Sequence, residues 1–152
     1  MNNEPSSVVT VEQFVTALIQ NSPNTPSTDN YLQYGYDSGW LEDMDITGKD
    51  AALLRKNAAR IIHEFMRIEL QESDLADVSC ASKLRDLYDC RVCAKHIMQV
   101  YAKGIMEGFY ASDTLYLFGL KEEVTTVEAS AIISRVFHTN QRFSNKTNFL
   151  IL

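Results

Sequence analysis

Apolar residues recur every three to four positions in four segments of the chain, which is the spacing of one face of an α-helix. The first segment runs from Thr10 to Gln20, and the clearest runs from about Leu53 to about Leu70. The other two run from roughly Arg91 to Lys103 and from Thr125 to Phe137. No run of alternating residues is long enough for a sheet, and only Leu115–Leu120 is β-prone enough for a short strand pair. The pattern predicts an all-α, mainly helical fold with at most very short strands.

Residue types at the ends of these segments agree with helix boundaries. Thr10 and Gln13 have the spacing of a capping box, in which the hydroxyl accepts an amide hydrogen and the Gln side chain reaches back. Thr125 and Glu128 repeat that spacing. Gly104 follows the third segment and is placed as its left-handed stop.

Comparison of the chain with itself reveals a repeat. The segment Val9–Ile19 aligns without gaps on Leu53–His63, and both align on Val124–Ser134. Upstream, Tyr31–Trp40 aligns on His96–Ile105 once a one-residue shift is allowed. Each unit is therefore a helix ending in Gly, a loop, and a second, capped helix.

This unit resembles the S-layer homology repeat of bacterial surface proteins, in degenerate form. The last copy matches best, with Asp77-Val78, then Val100–Gly108, then Val124–Phe137. The middle copy keeps Gly39-Trp40 and a second helix, and the first copy is a second helix alone. The resemblance implies a pseudo-threefold bundle of helix-loop-helix repeats.

The length of 152 residues favours a single domain over residues 1–152. Within it we expect a partial repeat at 8–20, repeats at 30–70 and 75–138, and a C-terminal tail at 139–152.

The family's function implies a non-catalytic cell-surface attachment module that binds cell-wall polysaccharide. In the family, an Arg at the start of the second helix grips a sugar-borne carboxylate, with polar neighbours that orient it. No copy here carries the whole motif, and Arg55 is the only family-like clamp. The resemblance implies ligand-binding roles for Arg55, Asn57, Thr125 and Glu128, although the last two also fit a helix cap.

Aromatic residues suggest a second place for a sugar, because exposed rings stack on pyranose faces. Tyr36 and Trp40 align with Tyr101 and Ile105, which read as core positions. Tyr31 and Tyr34 are therefore the candidates for a ligand platform.

Three cysteines leave several chemistries open. Cys90 and Cys93 form a Cys-x-x-Cys pair, His96 follows three residues on, and Cys80 lies ten residues before. These four could bind zinc as a Cys3His set. The alternatives are a disulfide from Cys80 to Cys90 or Cys93, or buried thiols. A thioredoxin-like redox pair is disfavoured because the sequence lacks a βαβ setting.

Other polar residues have plain structural interpretations. His63 and His138 are expected at helix surfaces or ends, since no zinc-protease helix motif surrounds them. The acidic run 42–45 lacks the alternating Asp and Gly of a calcium loop, so solvated loop charge is the better interpretation. No nucleophile motif or paired-acid signature indicates an enzyme.

Composition and charge argue against some classes of binding partner. A net charge of -6 and a pI near 5.0 argue against nucleic acid, which needs a basic stripe. The apolar runs are too short for a membrane span. We expect a monomer without a cofactor whose partner is cell-wall polysaccharide or another protein domain.

The compartment stays open at this point. Residues 1–7 contain neither a basic leader nor an apolar stretch. This predicts either a piece of an exported protein, at the cell surface or cell wall, or a cytoplasmic protein. The alternative function is an intracellular zinc-stabilised or partner-binding helical domain that has lost glycan binding.

Overall fold

The computed structural model describes residues 7–144 of the chain. The α-helices are α1 (Val11–Gln20), α2 (Tyr31–Ser38), α3 (Asp43–Thr47), α4 (Arg55–Glu64), α5 (Arg91–Ala102) and α6 (Thr126–Phe137). A π-helix at Phe65–Glu69 continues α4, and short 3-10 helices lie at Ser79–Lys83, Leu87–Asp89 and Thr139–Gln141. The strands β1 (Phe109–Ser112) and β2 (Leu115–Leu117) pair in an antiparallel hairpin.

The predicted all-α class is wrong, because the described part of the chain has mixed helical and β content. Helices of all kinds account for about 53% of it, and the β1–β2 hairpin adds a small sheet. Tyr110 and Tyr116 are cross-strand partners whose ring centroids lie 4.8 Å apart, a contact that stabilises antiparallel pairs. Strands of four and three residues are too short to produce a clear alternating pattern. Only the second of them was predicted to be β-prone.

The segments before α1, α4 and α6 are joined in a closed ring of backbone hydrogen bonds. The Val9 amide donates to the Val124 carbonyl oxygen at 3.0 Å, and the Val124 amide donates to that of Leu53 at 2.8 Å. The Leu53 amide closes the ring by donating to the Val9 carbonyl oxygen at 2.9 Å. All three side chains are buried. These are the positions that align in the repeat, so the three helices start from one centre at equivalent residues.

The helix ends follow the predicted chemistry. Thr10 caps α1 in a capping box with Gln13, and the Thr125 hydroxyl accepts the Glu128 amide hydrogen at 3.1 Å. Gly104 follows α5 with φ +77° and Gly39 ends α2 with φ +97°. Both glycines adopt the left-handed conformation that favours glycine, which confirms the predicted stops.

The core is built around α4 and its π-helical extension. Ala58, Ile61 and Ile62 are fully buried where α4 packs on α5. Trp40, after the end of α2, packs edge-on to Phe65 with ring centroids 4.9 Å apart. The predicted helix from Leu53 to Leu70 therefore exists, but its last turn is widened.

No helix within residues 7–144 is both long and apolar enough to cross a membrane, in agreement with the hydropathy of the sequence. Residues 1–6 and 145–152 lie outside the described residues. The predicted leaderless start and most of the predicted tail 139–152 fall there.

Candidate functional site

A groove of about 610 Å³ lies between α1 and α6. Its floor is apolar, since Phe14, Ala129 and Ile133 are buried there. Its rim carries hydroxyl, amide and imidazole groups, from Gln13, Asn21, Thr126, Ser130, Ser134 and His138. An apolar floor with several convergent polar groups is the usual make-up of a ligand site.

The groove owes its width to small side chains. Ala17 on α1 and Ala129 and Ser130 on α6 line it, and none of them extends far from its helix. The described residues that line the groove include no Asp, Glu, Lys or Arg. The groove therefore favours an uncharged ligand, and it lacks the carboxylate pair that glycoside hydrolysis uses.

Arg55, the predicted carboxylate clamp, is only 7% exposed. Its Nε donates to the Phe118 carbonyl oxygen at 2.8 Å and its Nη2 donates to the Glu107 carbonyl oxygen at 2.5 Å. Its Nη1 forms an ion pair with the Glu128 carboxylate, and the guanidinium lies 4.6 Å from the centre of the Phe118 ring. Arg55 is thus engaged inside the protein.

Burial lowers the pKa of the Arg55 guanidinium to about 10, against the opposing charges of Glu107, Asp86 and Glu122. The group stays charged at neutral pH. Its ligand-binding role remains a prediction, and an incoming sugar carboxylate would have to displace Glu128.

The other predicted ligand residues lie in different surroundings. Asn57 is half-buried in the first turn of α4, where its backbone amide donates to the Leu54 carbonyl oxygen at 3.0 Å. The Thr125 hydroxyl caps α6 by accepting the backbone amide hydrogen of Glu128, and the Glu128 carboxylate pairs with Arg55, so both residues have structural roles.

The predicted aromatic platform is partly engaged in the core. The Tyr34 hydroxyl donates to Glu69 Oε2 at 2.5 Å, and the Trp40 indole donates to Glu69 Oε1 at 3.1 Å. Tyr31 is half-buried. Trp40 is buried as expected, whereas Tyr36 is 41% exposed, so its assignment to the core was wrong. Its helix α2 is a surface helix, and Tyr36 lies on the outer face.

The cysteines adopt an arrangement that the sequence analysis did not favour. Cys90 and Cys93 form a disulfide with a Cα–Cα distance of 5.2 Å. The alternative of a disulfide from Cys80 to either residue is therefore wrong, because Cys90 and Cys93 are bonded to each other, and so is the alternative of buried thiols at these two positions. The predicted Cys3His zinc set is not formed in this state, since disulfide sulfurs are not thiolate ligands.

The acidic run 42–45 is more structured than expected. Asp45 is 2% exposed and its two oxygens each accept a hydrogen bond of 2.8 Å from Arg60. The interpretation as solvated loop charge was wrong for this residue, because α3 turns Asp45 inward onto α4. A bidentate pair of this kind satisfies both buried charges.

A buried pair of histidines joins α4 to α5. His63 Nδ1 and His96 Nδ1 lie 2.8 Å apart, and the two side chains are 5% and 8% exposed. Glu64 Oε2 lies 3.9 Å from the first nitrogen and 3.7 Å from the second. His63 does lie in the last turn of its helix, as predicted, but it is buried. His138 ends α6 and is exposed, as expected.

The electrostatics of the pair follow from burial. Desolvation, together with the neighbouring His63, lowers the pKa of His96 to about 4. The His96 ring is therefore neutral at physiological pH. Among the described residues, His63, Glu64 and His96 are a group whose ligand atoms could hold a metal ion.

Sequence reasoning missed both the groove and the histidine pair. The segments that contain Phe14 and Ile133 were predicted to be helical, without any indication that the two helices leave a groove between them. The repeat did contain a signal for His63, because it aligns with Ile19, which is 1% exposed. A His at an aligned core position indicates a buried polar contact.

No protein-family model matches the chain, and no curated protein matches it.

Proposed function

We propose that this protein is a non-catalytic attachment module that binds an uncharged stretch of cell-wall polysaccharide in the groove between α1 and α6. The observation that carries the proposal is the make-up of this groove, an apolar floor under a rim of uncharged hydrogen-bonding groups. Binding there would attach the module, and any protein that contains it, to the cell surface.

The chemistry of a saccharide fits this make-up. A pyranose ring has apolar C–H faces that pack on aromatic rings, and the half-buried Phe137 lines the groove. Its hydroxyls both donate and accept, as do Ser130, Ser134 and Asn21 along the rim. Specific recognition in such pockets relies on a few placed polar groups over an apolar surface.

The resemblance to S-layer homology repeats supports the same class of ligand but a different position. The family's Arg corner would bind an acidic sugar, whereas Arg55 is held by Glu128 and by two carbonyl oxygens. Breaking those contacts would leave buried polar groups without partners, at a cost of several kcal/mol. Binding in a groove whose described lining residues include no Asp, Glu, Lys or Arg breaks no such contacts.

The proposal is tested by filling the groove. The variant Ser130→Trp places a large ring over the floor, and its affinity for purified cell-wall polysaccharide should fall at least about tenfold, which corresponds to 1.4 kcal/mol. Binding is measured by co-sedimentation with cell-wall sacculi and by calorimetry with the released polysaccharide. Ser112→Trp makes the same change on the exposed β1–β2 hairpin and should bind as the parent does.

Equal binding by both tryptophan variants would exclude the groove. Absence of sacculus binding by the parent protein, combined with stoichiometric capture of a protein domain that Ser130→Trp blocks, would replace the polysaccharide with a protein partner.

A further inference from the structure

The histidine pair has a geometry that the groove does not explain. His63 is in the last turn of α4 and His96 is in the middle of α5, and their Nδ1 atoms face each other at 2.8 Å. The Glu64 carboxylate, next in the chain to His63, brings Oε2 to within 4 Å of both nitrogens. Three ligand-type atoms thus converge in the interface between two helices.

The hydrogen-bond partners of the two rings show where the protons of this cluster lie. His63 Nε2 lies 2.8 Å from Asp74 Oδ1, and a carboxylate only accepts, so Nε2 carries a hydrogen. In a neutral ring His63 Nδ1 then has a lone pair, and His96 Nδ1 is the donor in the contact between the rings. One proton therefore lies between two nitrogens that are both ligand atoms for transition metals.

We propose that His63 Nδ1, His96 Nδ1 and a Glu64 carboxylate oxygen bind one divalent transition-metal ion, with zinc as the expected physiological ion. The ion takes the place of the shared proton. His96 keeps a neutral ring because its hydrogen moves to Nε2. Two imidazoles and one carboxylate are an established zinc ligand set, and they leave a fourth position open.

The distances are close to those that zinc requires. Zinc–nitrogen bonds of about 2.0–2.1 Å in tetrahedral geometry place neighbouring ligand atoms about 3.3 Å apart. The two nitrogens, now 2.8 Å apart, would separate by about half an ångström. The carboxylate oxygen, at 3.7 and 3.9 Å, would approach by a similar amount. Side-chain rotations of this size need no movement of α4 or α5.

The surroundings hold the ligands in place. Asp74 accepts from the far nitrogen of His63, which is the carboxylate–histidine arrangement found behind metal ligands. The segment that carries Asp74 is fixed by Gln99, whose side-chain amide donates to the Leu75 carbonyl oxygen and accepts from the Leu75 amide. Arg67 donates to the second oxygen of Glu64 at 2.6 Å, which leaves Oε2 directed at the histidines.

Two further features agree with a metal site. The π-helix begins at Phe65, directly after Glu64, and π-helical turns occur often at functional sites. A cavity of about 310 Å³ is lined by His96, Arg60 and Asn57, so one of the three ligand residues borders open space.

This site is distinct from the zinc set that the sequence suggested. Only His96 belongs to both sets. Cys90 and Cys93, which belong to the earlier set, are joined in a disulfide. The proposal is also independent of the α1–α6 groove, so either one can fail without the other.

The test is metal binding by the purified full-length chain with its disulfide intact, after dialysis against a chelator. One Zn²⁺ per chain should bind and raise the melting temperature. Co²⁺ should give the visible absorption of a four- or five-coordinate site without the near-ultraviolet band of a thiolate ligand. Glu64→Gln should abolish stoichiometric binding. Glu123→Gln, which makes the same change on an exposed side chain, should bind as the parent does.

A variant outside the ligand set covers the case in which a ligand substitution unfolds the chain. Asp74 has a side chain that is 44% exposed, so Asp74→Asn should fold, and its zinc affinity should fall about 10- to 100-fold. Failure of the dialysed parent protein to bind added Zn²⁺ would overturn the proposal. So would a thiolate band with Co²⁺, or unchanged affinity in both Glu64→Gln and Asp74→Asn.

Discussion

Arg55 shows how one side chain can hold three segments together. Its guanidinium reaches the Glu107 carbonyl oxygen, the Phe118 carbonyl oxygen and the Glu128 carboxylate. The Phe118 segment is held from its other side as well, because the amides of Phe118 and Gly119 both donate to Asp86 at 2.8 Å. Arg55 and Asp86 together fix the chain between β2 and α6.

Replacing Arg55 with Ala should destabilise the fold by about 3 kcal/mol, because removal of one partner leaves a carboxylate and two carbonyl oxygens without their donor. Urea denaturation followed by circular dichroism measures the difference. Arg91→Ala removes an exposed arginine from the first turn of α5 and should change the free energy of unfolding by less than about 0.5 kcal/mol. Equal effects of the two substitutions would contradict the internal role of Arg55.

Glu72 provides a pH-dependent contribution to stability. Burial alone would raise its pKa, but hydrogen bonds from Arg142 and Lys103 outweigh burial and hold the pKa below the ordinary value of 4.5. A carboxylate with a lowered pKa stabilises the folded state fully above its unfolded-state pKa. That contribution is lost as the pH falls through the folded-state value.

We therefore expect Glu72→Gln to be less stable than the parent at pH 7, with a difference that shrinks as the pH is lowered from about 5 to 3. Denaturation curves at several pH values measure this difference. Glu123→Gln, which makes the same change on an exposed side chain, controls for the loss of charge. A difference that stays constant from pH 7 to pH 3 would show that the Glu72 charge is not involved.

At the scale of elements, the ends of helices were the most predictable features. Thr10, Thr125 and Gly104 act locally, through hydrogen bonds or backbone dihedrals within a few residues. Such interactions are encoded in adjacent residues. The π-helix after α4 had no local signal in the sequence.

Gly104→Val should destabilise the protein by about 2 kcal/mol or more, because a β-branched side chain resists the left-handed conformation. A Cβ at this position would also collide with the Phe143 backbone. Thermal denaturation should show a larger loss than for Gly39→Val, since a Cβ at Gly39 meets only Ile68 Cδ1 at 3.9 Å. Equal losses would mean that the Phe143 contact contributes nothing.

At the scale of the whole molecule, the ring of Val9, Leu53 and Val124 explains why the repeat is visible in the sequence. Each aligned residue gives one hydrogen bond and receives one within the ring, so the three segments must keep the same register. Helix existence and the repeat could therefore be predicted.

The partners of individual side chains could not be predicted. Arg55 and Phe118 are 63 residues apart and His63 and His96 are 33 apart, and no local pattern links residues at such separations. The first strand of the hairpin was missed for a related reason, because the two strands are stabilised mainly by each other. Such long-range pairs explain why polar side chains are buried in a chain whose sequence pattern indicates helical repeats. The buried side chains include Asp45, Arg55 and His63.

The central functional claim is that the α1–α6 groove receives a saccharide. Its most direct test is titration of isotope-labelled protein with fragments of the cell-wall polysaccharide, followed by amide chemical shifts. We predict saturable shifts at α1 and α6, with the largest near Phe14, Ser130 and Ile133. Shifts centred on Arg55 and the start of α4, or no shifts at any fragment concentration, would contradict the claim.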